Sequence, residues 1–563
     1  MTNPALSYDH GGSAIPLIGE TIGVHFDRTV ARWGDSLGLI SPQQGVRWTW
    51  SDLGAKVDAF AAGLLSLGLK PGDRVGIWSP NNAEWVVTQF ATAKAGLILV
   101  NINPAYRLSE LEYALNKVGC KALVTATAFK TSDYIGMVNT LAPELARSRP
   151  GHLDSAKLSH LKTVIQIGAS APGTIPFDTV YTMGGETERA HLAELATTLQ
   201  FDDPINIQFT SGTTGLPKGA TLTHHNILNN GFFIGEIMHY TQEDKVCLPV
   251  PLYHCFGMVI GCMACLTHGS AIVLPGEGFD PLVALQTVHN ERCTSLYGVP
   301  TMFIAELDHP EFKSFDLSSL RTGMMAGAPC PIEVMRRCIR DMNLTELTIG
   351  YGMTETSPVS TQTLIGDTID KQTSTVGRVH PHVEVKIIDA EGRIVPRNTA
   401  GEFCTRGYSV MLGYWDDEDR TAQAIDRNGW MHTGDLATMD DDGYCNIVGR
   451  IKDMVIRGGE NIYPREIEEY LYRHPAIQDV QVFGVPDQRF GEELCAWIKL
   501  RAGQAATPDE IKAFCKDQIA HYKVPRYIKF VDEFPMTVTG KMQKFIMRET
   551  MTQELGLTAA KTA

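Results

Sequence analysis

The sequence predicts an α/β protein in three parts. These are a large N-terminal body of two doubly wound subdomains, a small distorted β-barrel that closes it, and a smaller α+β domain at the C-terminus. Three observations predict this. Short apolar runs alternate with helical patterns over the first 400 residues, the rhythm of a parallel sheet with helices on both faces. Residues 373–449 switch to short strands and turns. From residue 450 onward helix and strand patterns mix over a stretch long enough for a separate domain.

Taken in order, Arg74–Trp78 reads as a strand and Asn82–Ala95 as a helix, with Val86, Phe90 and Ala93 on one face at i, i+4, i+7. Leu97–Asn101 is a second strand, Leu108–Val118 a second helix and Ala122–Thr125 a third strand. Residues 145–190, rich in Ser, Gly, Pro and Thr, predict a surface excursion. The alternation returns with Ser270–Leu274, a helix near 281–290 and Thr294–Tyr297. In the β-rich unit, Val383–Ile388 and Gly401–Thr405 read as strands. In the last unit, Pro464–His474 is a helix with proline in its first turn and an Ile467/Leu471 apolar pair. Val480–Val485 is a strand, and Thr507-Pro-Asp-Glu510 is a capping box that opens another helix.

The 563 residues are too many for one core. A hydrophobic fraction of 44% and a charged fraction of 20% are ordinary for a globular enzyme. A net charge of −15 excludes nucleic-acid-binding character. The charge is uneven: residues 451–563 hold 16 Lys and Arg against 16 Asp and Glu, so the acidity lies in the N-terminal 450. A neutral C-terminal part approaches anions more easily than the acidic body does. Residues 1–20 lack a basic run followed by an apolar one, and the first 25 residues contain no arginine, which argues against a secretory signal or an import presequence. Pro249, Pro251 and His254 interrupt the apolar run at 246–266, which argues against a membrane span. The twelve cysteines show no disulfide or zinc spacing. Cys262 and Cys265 lie in an apolar run and read as buried structural thiols. Reduced thiols suit a cytoplasmic protein.

Phe209-Thr-Ser-Gly-Thr-Thr-Gly-Leu-Pro-Lys-Gly-Ala220 packs Gly212, Gly215 and Gly219, the hydroxyls Thr210, Ser211, Thr213 and Thr214, and Lys218 into one short stretch. Glycines let backbone N–H groups crowd round a ligand, hydroxyls donate to phosphate oxygens and a lysine adds a point charge, so the stretch reads as a polyphosphate cradle. No Gly-Lys-Ser/Thr closes it, so it is not a Walker A loop.

Further motifs follow. They are Pro251-Leu-Tyr-His-Cys-Phe-Gly257; Met325-Ala-Gly-Ala-Pro329, whose Gly327 and Ala328 are small enough for a flat ring to lie against the backbone; and Gly350-Tyr-Gly-Met-Thr-Glu-Thr356. In the last, Tyr351 offers a ring for stacking, Thr354 a hydroxyl, and Glu355 a hard oxygen suited to Mg²⁺. His432-Thr-Gly-Asp435 precedes Gly449-Arg450. The run Gly449-Arg-Ile-Lys-Asp-Met-Val-Ile-Arg-Gly-Gly-Glu-Asn-Ile-Tyr-Pro464 and the late Pro535-Met-Thr-Val-Thr-Gly-Lys541 complete the series.

In this order, and over residues 15–550, the motifs resemble the signatures of the acyl- and aryl-CoA synthetases within the adenylate-forming enzymes. The wording around 450–467, Tyr522-Lys-Val-Pro525 and Pro16–Gly23 is most similar to the short- and medium-chain fatty acyl-CoA synthetases. The resemblance implies an ATP-dependent, two-step ligase: a carboxylic acid and MgATP give acyl-AMP and pyrophosphate, then CoA gives acyl-CoA and AMP. It implies that Thr210, Ser211, Gly212, Thr213, Thr214, Gly215 and Lys218 hold the phosphates. Gly327, Ala328, Pro329, Gly350, Tyr351, Gly352 and Met353 frame the adenine side, Thr354 offers its hydroxyl to the phosphate as a catalytic residue, and Asp435 and Arg450 bind the ribose. Glu355 and Thr210 are the metal-side residues. His254 shapes the meeting point of acid and ATP, with the acyl pocket beside it near Met258 and 352–359. Lys541 bridges the attacking carboxylate and the α-phosphate. The implied domains are 1–450, a hinge at 451–453 centred on Lys452, and a mobile domain at 454–563. Its Gly458, Gly459 and Glu460 form the CoA-side loop. Two other readings remain open at this point: an adenylating enzyme whose acceptor is a carrier-protein thiol or an amine, and a nucleotide-binding regulator. Homodimers occur in that family, and the oligomeric state here stays open.

Overall fold

The computed structural model describes residues 5–210, 216–458, 460–516, 518–537 and 542–557. Two large sheets organise the N-terminal body. The first runs Ile175–Pro176, Thr163–Gln166, Ala122–Thr125, Arg74–Trp78, Ile98–Asn101 and Pro204–Thr210, all parallel, then Lys218–Thr223 and Gly413–Tyr414, both antiparallel. The second has a parallel centre, Glu346–Gly352, Thr322–Ala326, Ser295–Gly298, Lys245–Cys247, Ala271–Val273 and Leu37–Ser41. Antiparallel strands flank that centre: Val359–Gln362 and Arg378–Val379 on one side, Val46–Thr49 on the other.

The strand–helix rhythm locates these elements closely. The predicted Asn82–Ala95 helix spans Ala83–Lys94, and Asn82 caps it by accepting from the N–H of Trp85. Val86, Phe90 and Ala93 are buried on the face read from the sequence, and Trp85, Val87 and Ala91 are buried as well. The helix packs against the helices Ile22–Trp33 and Trp50–Ser66 as well as the strands Arg74–Trp78 and Ile98–Asn101, so no side faces water. The surface excursion at 145–190 is a correction. Val164 and Ile165 are fully buried in Thr163–Gln166, a strand of the first sheet.

The β-rich unit is an antiparallel sheet ordered Tyr8–His10, Val383–Ile388, Gly401–Gly407, Met431–Met439 and Cys445–Arg450. Its distortion is local, with register shifts at Glu402/Cys404 and Leu436/Ala437, and its pairing path is open among the described residues. The C-terminal unit has a separate sheet: Glu460–Ile462, Val455–Arg457, Gly491–Leu500 and Ile477–Asp487, with Tyr527–Phe530 parallel to Gly491–Leu500. Val455, Ile462, Ile467, Leu471, Val480 and Leu494 belong to a core of its own. Thr507 and Glu510 form the predicted capping box. The Pro464 helix ends at Leu471, a turn earlier than predicted.

Few side chains bridge the two parts. Asp308, at the end of the helix Pro300–Leu307, pairs with Arg337 at 2.7 Å within the body. Across the gap it accepts from Arg501 at 3.1 Å and Gln478 at 3.0 Å.

None of the twelve cysteines forms a disulfide and all are buried, and burial raises the thiol pKa values of Cys262 and Cys265, as expected of inert thiols. No helix among the described residues is long and apolar enough to cross a membrane.

Glu306 is buried in the core at 1% exposure, and neither carboxylate oxygen has a partner. Burial raises its pKa well above the ordinary value. The folded chain therefore keeps a proton there that the unfolded chain releases. The stability tied to Glu306 falls as pH rises above the unfolded carboxyl range. Glu306→Met should raise the melting midpoint by about 2–4 °C at pH 8 and by less at pH 5, as thermal melts at the two pH values would show.

Candidate active site

The glycine-rich stretch is a hairpin connection, not a strand-to-helix turn. Thr210 and Lys218 pair across the antiparallel strands Pro204–Thr210 and Lys218–Thr223, so the two ends of the stretch lie side by side. Ser211, Gly212, Thr213, Thr214 and Gly215 lie outside the described residues. The second strand runs into the helix His224–Ile237, which Thr223 caps. That helix anchors one side of the hairpin.

Four side chains meet at its mouth. Thr210 Oγ1 donates to Glu355 Oε1 at 3.2 Å. Tyr414 OH donates to the same oxygen at 2.8 Å and accepts from Lys218 Nζ at 2.8 Å. Glu355 is 4% exposed. Burial, reinforced by Glu355, raises the Tyr414 hydroxyl pKa far above its usual range, so it stays a donor. A lysine, a phenol and a hydroxyl thus gather at one buried carboxylate. Sequence reasoning missed Tyr414. It lies in a two-residue strand, Gly413–Tyr414, at the sheet edge, and no spacing marked it.

Glu355 gets there from the strand Glu346–Gly352, which leads into the short turn Thr354–Thr356. The parallel neighbour Thr322–Ala326 ends in register with it, Ala326 beside Gly350. Gly327, Ala328 and Pro329 therefore emerge beside Tyr351, at the carboxyl ends of adjacent strands where open α/β sheets bind ligands. Gly327 needs its positive φ of +85°. Tyr351 OH donates to Asp435 Oδ2 at 2.8 Å. Burial and then the Asp435 charge raise its hydroxyl pKa. Its ring meets Phe403 edge-on, centroids 5.0 Å apart. Asp435 and Arg450 are cross-strand partners, with Arg450 Nε 3.1 Å from Asp435 Oδ1. The two motifs separated along the chain are one hairpin face.

Gly352 is forced by packing: a Cβ there would lie 1.7 Å from the carbonyl oxygen of Pro358. The clash is with backbone, which cannot rotate away. Gly352→Ala should cost about 2 kcal/mol or more in stability and raise the KM for ATP about tenfold. Denaturant melts and ATP titration measure both.

His254 Nδ1 accepts from the N–H of Phe256 at 3.2 Å, which leaves its ring proton on Nε2. Cys255 Sγ lies 3.7 Å from Thr354 Oγ1, which brings the second motif against the fourth. The chain then forms a π-helix, Phe256–Met263, a wide helical geometry common at functional sites; the sequence placed Phe256 and Gly257 in a motif and Met258 beside the acyl pocket, but gave no sign of the helix type. Met258 is buried, and its sulfur accepts from Asn101 at 3.3 Å and Gln208 at 3.4 Å.

Lys452 sits in the short turn Ile451–Asp453 immediately after Arg450. Desolvation and then the Arg450 charge lower its ammonium pKa, with smaller influences from Asp453, Asp435 and Lys218. Gly458 opens the hairpin between Val455–Arg457 and Glu460–Ile462 with φ +60°, and its N–H donates to Phe490 O at 2.8 Å. Glu460 is exposed there. Gly459 and Lys541 lie outside the described residues.

Residues 26–415 match the family model of the AMP-binding enzymes, and residues 466–541 match the C-terminal domain of the same enzymes. The chain belongs to the AMP-binding enzymes. It is 49% identical to the mitochondrial medium-chain acyl-CoA ligase ACSF2 of Danio rerio, covering 98% of this chain and 91% of that one. It is 48% identical to the putative acyl-CoA synthetase YngI of Bacillus subtilis, covering 97% and 99%. Among solved structures, the anthranilate CoA ligase AuaEII in complex with anthranoyl-AMP is 26% identical with a TM-score of 0.85, covering 97% and 99%. ATP-bound MatB from Rhodopseudomonas palustris is 27% identical with a TM-score of 0.81, covering 95% and 99%.

Proposed function

We propose that this chain is an AMP-forming acyl-CoA synthetase that activates medium-chain fatty acids in two steps. The observation that carries the reading is the buried Glu355 carboxylate, gathered with Thr210, Tyr414 and Lys218 beside the Tyr351–Asp435–Arg450 set. One end suits a metal-bound polyphosphate and the other a nucleoside. The names of the relatives supply the acyl-CoA product and the medium chain length.

In this reading Asp435 accepts from the ribose hydroxyls and Arg450 reaches the same sugar. Tyr351 lies against adenine with Gly327, Ala328 and Pro329. Thr210 and Lys218, with Ser211–Gly215, hold the phosphates, and His254 and Met258 border the acid. The donor set fits Mg²⁺, since the carboxylate of Glu355 and the hydroxyl of Thr210 are hard oxygens. When bound, that ion neutralises phosphate charge. Lys541 neutralises the attacking carboxylate and the α-phosphate in the first step; the Gly458–Glu460 loop serves CoA in the second, after residues 454–563 turn about 451–453. Little covalent work falls to the protein, since positioning and charge carry the chemistry. Twelve buried cysteines with no disulfide among them support a reducing compartment, which in this reading is the cytoplasm.

The test is AMP and pyrophosphate release with MgATP over straight-chain acids from acetate to dodecanoate plus benzoate, each with and without CoA. A CoA-dependent optimum at medium length is expected. AMP release independent of CoA would move the acceptor to an amine or a carrier thiol, and silence with every acid would overturn the reading.

A further inference from the structure

The β-rich unit carries a second cluster of chemistry, on the strand pair that presents Asp435. Cys404 and His432 are direct cross-strand partners. Glu402 precedes Cys404 by two residues, across the register shift. One ligand atom from each of the three lies within 4.8 Å of the others. His432 Nδ1 is 3.1 Å from Glu402 Oε2 and 3.6 Å from Cys404 Sγ.

These separations can be set against a metal geometry. Metal–nitrogen and metal–oxygen bonds of about 2.0–2.2 Å and a metal–sulfur bond of about 2.3 Å at tetrahedral angles give ligand edges of about 3.4 and 3.5 Å. The two observed edges fall within a few tenths of an ångström of those values. No other grouping of three such ligands occurs among the described residues.

The surroundings also favour an ion. Asp426 Oδ2 lies 3.9 Å from the other ring nitrogen of His432, too far for a hydrogen bond but a carboxylate on the far side of the imidazole. Asp426 is itself fixed by the N–H groups of Asn428 and Trp430. Glu402 keeps Oε2 toward the cluster because Oε1 accepts from the N–H of Gly434 at 3.1 Å. Lys386, the other cross-strand neighbour of Cys404, has its ammonium over the Trp430 ring. Cys404 is fully buried, while His432 and Glu402 side chains are 30% and 22% exposed. The cluster is closed on the sulfur side and open to entry on the other.

We propose that Glu402, Cys404 and His432 form a three-ligand site for a borderline-soft divalent cation of the zinc class, with a fourth position open to water. A thiolate and an imidazole select such an ion over Mg²⁺, so the Mg²⁺ that accompanies ATP does not compete. Binding forms the metal–sulfur bond and releases the thiol proton to solvent, with no change of oxidation state. The site is coupled to the nucleotide side. The Glu402 carboxylate that binds the ion also holds Gly434, the residue before Asp435, and Thr433 Oγ1 bridges Phe403 O at 2.7 Å and the N–H of Asp435 at 3.2 Å. The site stands on these three side chains alone and does not depend on the proposed reaction.

The experiment is titration of the untagged full chain with Co²⁺, a spectroscopic substitute for Zn²⁺. A near-ultraviolet thiolate-to-cobalt band with visible bands of tetrahedral intensity, saturating at one ion per chain and bleached by Zn²⁺, is expected. Cys404→Ser should abolish the thiolate band, and Cys445→Ser should leave it. Glu402→Gln should retain the band but weaken Co²⁺ binding tenfold or more, which keeps the test decisive if Cys404→Ser fails to fold. Absence of a thiolate band, its survival in Cys404→Ser, or unchanged affinity in Glu402→Gln would overturn the site.

Discussion

Glu355→Gln should lower pyrophosphate release about 10²–10³-fold at saturating acid and ATP, the usual loss when one group placed for developing charge is removed from a dry site. Glutamine has nearly the shape of glutamate and still offers a carbonyl oxygen to Thr210 and Tyr414, which both donate to Oε1. The hydrogen-bond frame therefore survives and the charge alone is lost. Glu355 is buried at 4% exposure, so that charge is poorly screened by water and strongly felt by a cation or a phosphate nearby. The deficit should fall on kcat and on the Mg²⁺ dependence, with an unchanged melting midpoint. Tyr414→Phe gives a second reading of the same cluster. It removes the hydroxyl between Lys218 and Glu355 and should cost about tenfold, the value of one or two hydrogen bonds to charged groups. Pyrophosphate release within threefold of the parent in Glu355→Gln would place the metal and the phosphates elsewhere.

The sequence was most legible where local rules act alone. The alternation of apolar runs fixed Arg74–Trp78, Leu108–Val118 and Ala122–Thr125 to the residue, and Thr507-Pro-Asp-Glu510 capped its helix as written. Legibility failed where long-range packing decides. Thr163–Gln166 lies inside a Ser-, Gly-, Pro- and Thr-rich stretch that hid it as a strand, yet pairing with Ala122–Thr125 buries it. Leu37–Ser41 joins the second sheet beside Ala271–Val273, more than 200 residues away, and no periodicity reports such a partner. In the candidate site, Glu355, Tyr351, Asp435 and Lys218 were visible as motif residues, but the reason they act together is tertiary. Tyr414 and the Cys255–Thr354 contact exist only once a sheet edge and a π-helix bring them in. The Glu402–Cys404–His432 cluster was invisible for the same reason: its cysteine and histidine are 28 residues apart in sequence and adjacent only across two strands.

The two proposed steps should separate in Lys541→Ala. If Lys541 neutralises charge only while the acid attacks the α-phosphate, its removal should depress acyl-AMP formation by about three orders of magnitude, within the range for one preorganised cation in a dry site. Conversion of supplied acyl-AMP and CoA to acyl-CoA should stay within a few-fold of the parent. Asp308 supplies the complementary test. It is held by Arg337 and grips Arg501 and Gln478 of the C-terminal unit, so it favours the one domain orientation in which those contacts exist. A ligand or contact shifts a two-state balance only through its differential interaction with the two states. If residues 454–563 take two orientations, Asp308→Ala deletes the Arg501 and Gln478 contacts of one of them, and it should change the ratio of the two half-reaction rates by about three- to fivefold, the worth of a partly exposed ion pair. A destabilised body would slow both half-reactions together and leave the ratio alone. Parallel loss of both steps in Lys541→Ala, or an unchanged ratio in Asp308→Ala, would mean that a single domain arrangement serves the whole reaction.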